Sequence, residues 1–292
     1  MESKPKIACE IAADRVLAGR VSDTAHVVES CASRELSPGS VVPDMIEANL
    51  KQHDAISQAL QSTLEAVGGR GRDVIAVLPD ASARVAWLDF DTLPANREEA
   101  ESVVRFRLKK SLPFNIDEAK VSYHAQTSNG SVRVVAAVAL ASVITEYENL
   151  FRDLGYSPGV VMPSMLAALG AASSEKPTLV VKVDTNTTGV AILDKEQLLL
   201  IRTLENPRGI AITGEQLAED IYPSVVFFED TYHLQIQQIY VAGLPEAGGA
   251  APALKAQTGA EVQELVASSQ LSGSLGSVPK WRMAGVVGAL LG

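Results

Sequence analysis

The stretch Ile7-Ala8-Cys9-Glu10-Ile11-Ala12-Ala13-Asp14-Arg15-Val16-Leu17-Ala18-Gly19-Arg20-Val21 decides the fold. Two apolar runs flank a short break, so it reads as strand, tight turn, strand, with Glu10 just before the break. The same pattern returns at Lys176-Pro177-Thr178-Leu179-Val180-Val181-Lys182-Val183-Asp184, then Thr185-Asn186-Thr187-Thr188-Gly189, then Val190-Ala191-Ile192-Leu193. The two segments superpose with Glu10 opposite Asp184, in pattern more than in identity. The chain therefore has two similar halves, each opening with a hairpin that carries an acidic residue at its turn.

Working outward, a short strand is expected around His26 to Ser30. Helical spacing runs from Met45 to Val67 and ends at Gly68-Gly69, as glycine ends helices. Val74 to Leu78 is a buried strand stopped by Pro79, and Ala83 to Phe90 alternates. Asn96 is placed to cap a helix from Arg97 to about Ser111, with Glu99 completing a capping box. Strands near Val121 to Ala125 and Val132 to Ala139 flank Asn129-Gly130, a hairpin signal. Helices are expected over Ser142 to Leu154 and Met162 to Ala172. In the second half a strand covers Leu198 to Leu204. A helix starts at Thr213 or Gly214 and is kinked or restarted at Pro223. Ile239 to Ala242 is a strand ending at the turn Gly243 to Glu246. Ala250 to Gln257 is a short helix, Glu261 to Gln263 is strand-like, Ala267 to Gly273 is a loop, and a helix from about Trp281 closes the chain.

This order predicts an α/β chain of actin-like (ribonuclease H-like) fold with two lobes. The expected first lobe comprises residues 1–73 and 156–175. Residues 74–155 read as strand, helix, two strands, helix, and the expected second lobe is 176–292. In such a fold both hairpins face one cleft. Turn amides and hydroxyls hold a nucleotide's phosphates, and the carboxylates act on Mg²⁺ through water. A later glycine turn lets the chain pass close to the adenosine. The candidate ATP and Mg²⁺ contacts are Glu10, Asp184, Thr185, Asn186, Thr187 and Gly243. No catalytic residue and no metal ligand is assigned.

The sequence resembles the type IV pilus assembly protein PilM family, relatives of the cell-division protein FtsA. The most specific residues are Arg105-Phe106-Arg107-Leu108-Lys109-Lys110-Ser111-Leu112-Pro113-Phe114-Asn115-Ile116-Asp117-Glu118, followed by a strand with Tyr123. Arg202-Thr203-Leu204 to Gly209 and Thr213 to Ala218 add to the likeness, and the resemblance implies that 74–155 is the FtsA-type α+β subdomain which this family inserts in the first half. The resemblance implies a non-catalytic adaptor at the cytoplasmic face of the inner membrane. Its partner would be the N-terminal cytoplasmic peptide of a PilN-like membrane protein, laid in a groove between subdomains, and other pilus assembly components would join it. The membrane would be reached only through such partners.

Three departures from the family pattern bear on nucleotide. The first hairpin has Glu10-Ile11-Ala12-Ala13 where the family has Asp-Ile-Gly-Ser. The second has Asp184-Thr185-Asn186 where it has Asp-Ile-Gly. Gly243 is followed by Leu244-Pro245 where it has Gly-Gly. Side chains at these turns hinder close approach of backbone to phosphate, and Pro245 lacks an amide. The expectation is a degenerate cleft with ATP binding weakened or lost. The alternatives are a GspL-like component of type II secretion, an active ATPase or sugar kinase of this fold, and a filament-forming actin relative. GspL continues into a membrane helix, which is not found by Gly292.

Composition narrows the classes further. The 292 residues carry a formal charge of −10, with 47% hydrophobic and 21% charged residues, which is ordinary for a globular chain. The acidic balance and only 5% aromatic residues argue against a nucleic-acid binder. The two cysteines, Cys9 and Cys31, read as small buried hydrophobes in a reducing compartment. The longest apolar runs, Val134 to Ile144 and Met283 to Gly292, fall short of the ~20 residues of a membrane helix. With no signal peptide visible, a soluble cytoplasmic protein is expected. Arg105, Arg107, Lys109 and Lys110 complement the dipole of a helix whose first turns hold Glu98, Glu99 and Glu101, and Glu101 and Arg105 are spaced to pair. Asp89 and Asp91 share a strand face without a third ligand in sequence, and His26, His53, His124 and His233 are scattered.

Overall fold

The structure, a computed structural model, describes residues 4–24, 26–128, 131–245 and 247–292. The expected Asn129-Gly130 turn and Glu246 lie outside them. The first hairpin forms as read, β1 over Ile7–Ile11 and β2 over Arg15–Val21, and β3 (Val28–Glu35) runs longer than expected. Helix α1 spans only His53–Val67. The eight residues before it, expected as helix, are held otherwise. Asp44 accepts the amides of Ile46 and Glu47, and the Glu146 carboxylate takes those of Asn49 and Leu50. Side chains that satisfy backbone donors in this way compete with helix formation.

β4 (Asp73–Leu78) leads through a 3₁₀ turn to β5 (Arg84–Phe90). Asn96 caps α2 (Arg97–Leu108), its side chain accepting the amides of Glu98 and Glu99. β6 (Ala119–Ser128), β7 (Ser131–Leu140) and α3 (Ala141–Asp153) follow. β8 (Ser157–Pro163) was not anticipated, and it shortens the next helix to α4 (Ser164–Leu169). The second half gives β9 (Thr178–Val183), β10 (Thr187–Asp194) and β11 (Gln197–Glu205). α5 runs unbroken over Gly214–Tyr232 with Pro223 inside, opened by the Thr213/Gln216 capping box. β12 (Gln238–Ala242), α6 (Ala247–Thr258) and β13 (Glu261–Glu264) come next. Within the expected loop, Leu271–Ser274 forms β14, and α7 (Ala284–Leu291) ends the chain.

Three sheets result, with orders β14-β3-β2-β1-β4-β8, β11-β10-β9-β12-β13 and β5-β7-β6. Their membership departs from the expected boundaries. β4 pairs with β1 and β8, and α3 packs Tyr147, Leu150 and Phe151 against Ile7, Cys9 and Ile11. Both elements, expected within 74–155, thus attach to the first sheet. The three-stranded sheet and α2 enclose a separate small core around Val104, Leu108, Val134 and Val138. β14 and α7, expected in the second lobe, return to the first: β14 pairs with β3, and α7 packs Val286, Val287 and Leu290 with Ala8 and Leu17.

Period-two alternation sorts the strand residues between layers. On β1, Ile7, Cys9 and Ile11 face α1 and α3, while Ala8 faces α4 and α7. On β9, Leu179, Val181 and Val183 face α5 and α6, while Val180 joins Ala8 in the central layer. Glu10 and Lys182 fall in the inward series of their strands, so both side chains enter the layer between the lobes. The Pro-Phe stretch joins two cores, since Phe114 packs on both the first-lobe and the inserted-sheet clusters. Arg105 wires this stretch to α2, donating to Ile116 O (3.1 Å) and Ala119 O (3.3 Å) while pairing with Glu101.

Candidate functional site

The closing bonds of the two hairpins set their equivalence. Ala12 N donates to Arg15 O and Asp184 N to Thr187 O, both at 2.8 Å. Across the strands Glu10 pairs with Leu17 and Lys182 with Gly189. Asp184 is thus equivalent to Ala12, and Lys182 to Glu10. The expected superposition of Glu10 on Asp184 is two residues out of register. Asp184 is a turn residue, whereas Glu10 is a strand residue.

The hairpins nevertheless bring both carboxylates into one cluster. Lys182 Nζ lies 2.5 Å from Asp184 Oδ2, 3.9 Å from Glu10 Oε1 and 4.0 Å from Asp80 Oδ2. Arg15 donates to Asp14 at 2.7 Å and stands 3.7 Å from Glu10 Oε2 and 3.9 Å from Asp184 Oδ1. Ser164 Oγ donates to Glu10 Oε1, and Asp80 Oδ1 accepts the Met165 amide at 2.7 Å. Glu10, Arg15, Asp80, Ser164 and Lys182 are all buried. Gly285 of α7 closes the roof, where an added Cβ would meet Glu10 Oε1 and Ser164 Oγ at 2.9 Å.

Burial opposes the charge on Lys182 and on Arg15, but the surrounding carboxylates outweigh it and keep both firmly protonated. Burial also opposes ionisation of Asp184, yet Lys182 and Arg15 hold its pKa below the usual carboxylate value. At Asp80 burial prevails over Lys182 and pushes the carboxyl up to about 6. Oε2 of Glu10 accepts no hydrogen bond.

Thr185, Asn186 and Thr187 sit at the second turn with Asp184, facing Ala12, Ala13, Pro79 and Asp80 across a space of about 20 Å³. That is room for about one water. The turn is overlaid by the following segment: Asn206 N donates to Asn186 O, and Gly209 passes so close that a Cβ would lie 2.6 Å from Thr185 O. Gly243 has φ +83°, and an added Cβ would lie 1.7 Å from Val183 O. Its missing side chain is required by the approach to β9, and its amide is spent on Trp281 O.

A second concavity lies where the inserted sheet meets β8. It encloses about 240 Å³ between β6, β7, α3 and β8. Val121, Val138, Val161 and Met162 give it apolar walls, and Lys120 and Glu148 supply one charge of each sign. β6 and β8 each stand at the end of their sheet order.

Among solved structures, the chain is similar to one described as a PilM–PilN type IV pilus biogenesis complex. The TM-score is 0.79 at 18% identity, covering 98% of each chain. The fold is actin-like, and PilM-like across its whole length. A weaker likeness (TM-score 0.55, 10% identity, 96% of this chain and 92% of the other) links it to the cytoplasmic domain of EpsL, an inner membrane component of the Vibrio cholerae type II secretion system. Another (TM-score 0.53, 11% identity, 88% and 89%) is to a protein of actin-like ATPase fold and unknown function from Bacteroides thetaiotaomicron. No protein-family model and no curated protein sequence matches this chain.

Against this PilM-like frame, the residues singled out in the sequence divide. Glu10 and Asp184 converge, Thr185 to Thr187 line the small space beside them, and Gly243 serves the strand packing. Arg15, Lys182, Asp80 and Ser164 were not anticipated. The one signal was a lysine inside the apolar run Leu179 to Val183. Asp89 pairs with Arg133 at 3.5 Å. Among the described residues no group of three or more His, Cys, Asp or Glu is placed to hold a metal ion, and no helix is long and apolar enough to cross a membrane.

Proposed function

We propose that the protein is a PilM-like adaptor of type IV pilus assembly, working at the cytoplasmic face of the inner membrane. It binds the extended N-terminal cytoplasmic segment of a PilN-like membrane protein. The binding place is the 240 Å³ groove between β6, β7, α3 and β8. That groove carries the reading: apolar pockets beside strands that stand last in their sheets suit an extended peptide, which gains main-chain hydrogen bonds and seats alternate side chains. Similarity to PilM over 98% of the chain supports the choice of partner.

The ancestral nucleotide cleft is degenerate in this reading. Two internal cations neutralise the carboxylates that would meet a metal–phosphate group, and the turns leave only about 20 Å³ between them, beside a space of about 470 Å³ that shares Asp80 and Thr187. The paired charges weigh against ATP and Mg²⁺ at these turns, and with them against an ATPase or kinase role.

The test is a calorimetric titration with a synthetic N-terminal peptide of the PilN-like protein from the same organism. Gly159 lines the groove and has nothing within 4 Å of an added Cβ. A Cβ at this position is therefore free of contact, and the bulk of Gly159→Trp stands at the edge of the groove. Micromolar binding by the parent chain, lost in Gly159→Trp at an unchanged melting temperature, is expected. Binding unaffected by Gly159→Trp would move the partner elsewhere, and no binding would reopen the EpsL-like reading.

A further inference from the structure

We propose that the buried cluster is a latch through which the second lobe sets the shape of the groove, with Lys182 and Asp80 as its positioning residues. The proposal rests on the groove being the partner site, and it deepens that reading by giving the site a control.

The geometry is continuous from one place to the other. Leu78, at the end of β4, and Ala83, just before β5, both line the groove, and Asp80 lies between them in the connecting turn. Asp80 Oδ1 accepts the Met165 amide at 2.7 Å, at the start of α4. Immediately upstream, Met162 and Pro163 of β8 also line the groove, with Pro163 in register beside Leu78. One carboxylate thus ties the turn that leads from β4 to the inserted sheet to the β8–α4 junction. Ser164, between Pro163 and Met165, is tied in turn to Glu10. Asp80 and Glu10 are then met by a single charge from the other lobe, Lys182, at 4.0 and 3.9 Å.

Among the described residues Lys182 is the second-lobe cation within 4.0 Å of Asp80, and Arg15, of the first lobe, reaches Glu10, Asp14 and Asp184 instead. If Lys182 withdraws, Glu10 keeps Arg15 at 3.7 Å, while Asp80 is left without its cation beside the Glu10 carboxylate at the β8–α4 junction. Like charges in a low-dielectric site repel strongly, and one buried charge left unpaired is costly. The junction then shifts, and the groove walls shift with it.

Hydrogen exchange on the full chain tests the latch without peptide or nucleotide, so its outcome is independent of partner identity. Asp80→Asn keeps an oxygen for the Met165 amide and removes only the charge facing Lys182. Lys182→Met removes the cation and keeps the stem. Arg208→Ala, which breaks the exposed Arg208–Asp220 pair, is the control. The expected result is at least tenfold faster exchange at Ala119 to Ser122 and at Val160 to Met162 in Lys182→Met, recovered in part when Asp80→Asn is added, with no change in Asp80→Asn alone or in the control. Should Lys182→Met fail to fold, the double variant, which lacks the unpaired carboxylate, decides. Unchanged exchange at the groove strands in Lys182→Met, or acceleration spread equally over β10 and β11, would overturn the proposal.

Discussion

Lys182 and Glu10 occupy the same position in the two hairpins and meet across the cleft, Nζ to Oε1 3.9 Å, each at most 4% exposed. An internal repeat that placed two acids face to face would call for a cation from outside. Here one copy carries an acid and the other a base, so the pair of hairpins neutralises itself.

A buried ion pair is weak evidence for stability, but losing one partner is severe. Lys182→Ala should therefore destabilise the protein by about 3–5 kcal/mol. Adding Glu10→Gln should recover part of that loss, because it removes a carboxylate left without its cation. Urea unfolding of the two single variants and the double variant gives the coupling energy. Strict additivity would show that the two side chains do not interact.

Asp80 makes a pH prediction with a definite sign. Its folded pKa of about 6 lies above the ordinary 3.8, so the folded state binds the proton more tightly than the unfolded one. That contribution is fully present below about pH 4 and is lost as pH rises through 6, a change of about 3 kcal/mol at 1.4 kcal/mol per pKa unit. Asp184, held below 3.8, acts oppositely, and its contribution disappears only as pH falls through its folded value. The stability of the parent chain relative to Asp80→Asn should fall between pH 4 and 7. A flat difference would place Asp80 in a more polar setting than the Lys182, Glu10 and Asp184 side chains provide.

Two glycines with positive φ separate backbone strain from close approach. Gly68 (φ +67°) has nothing within 4 Å of an added Cβ, whereas Gly243 (φ +83°) has Val183 O at 1.7 Å. Gly68→Ala should cost about 1–3 kcal/mol from backbone conformation alone, since φ +67° with ψ −164° is a region nearly confined to glycine. Gly243→Ala should cost several times more, since β12 must move away from β9. Equal melting temperatures for the two variants would refute the packing role given to Gly243.

The hairpins, β4 and the Asn96 cap were legible because each is decided by neighbours in sequence. The hairpin register was not: Glu10 and Asp184 look equivalent as acids near a turn, and only the closing bonds from Ala12 and Asp184 reveal the offset. The segment from Met45 carries helical spacing, but Glu146, about a hundred residues away, takes its amides. β14 has four residues with two serines and a glycine, and it exists because β3 offers an edge. The cluster itself was half visible. Its acids stood out as candidate ligands, while its cations, one at a strand start and one inside an apolar run, gave no sign of converging. That step depends on period-two alternation in two strands some 170 residues apart.

The account turns on the cleft being closed by its own charges, and calorimetric titration of the parent chain with Mg-ATP, beside a thermal melt, tests this most directly. The proposed degenerate cleft predicts no heat of binding and no rise in melting temperature at millimolar nucleotide. Micromolar binding with a raised melting temperature would mean that Arg15 and Lys182 give way to a metal–phosphate group, contradicting the closed cleft.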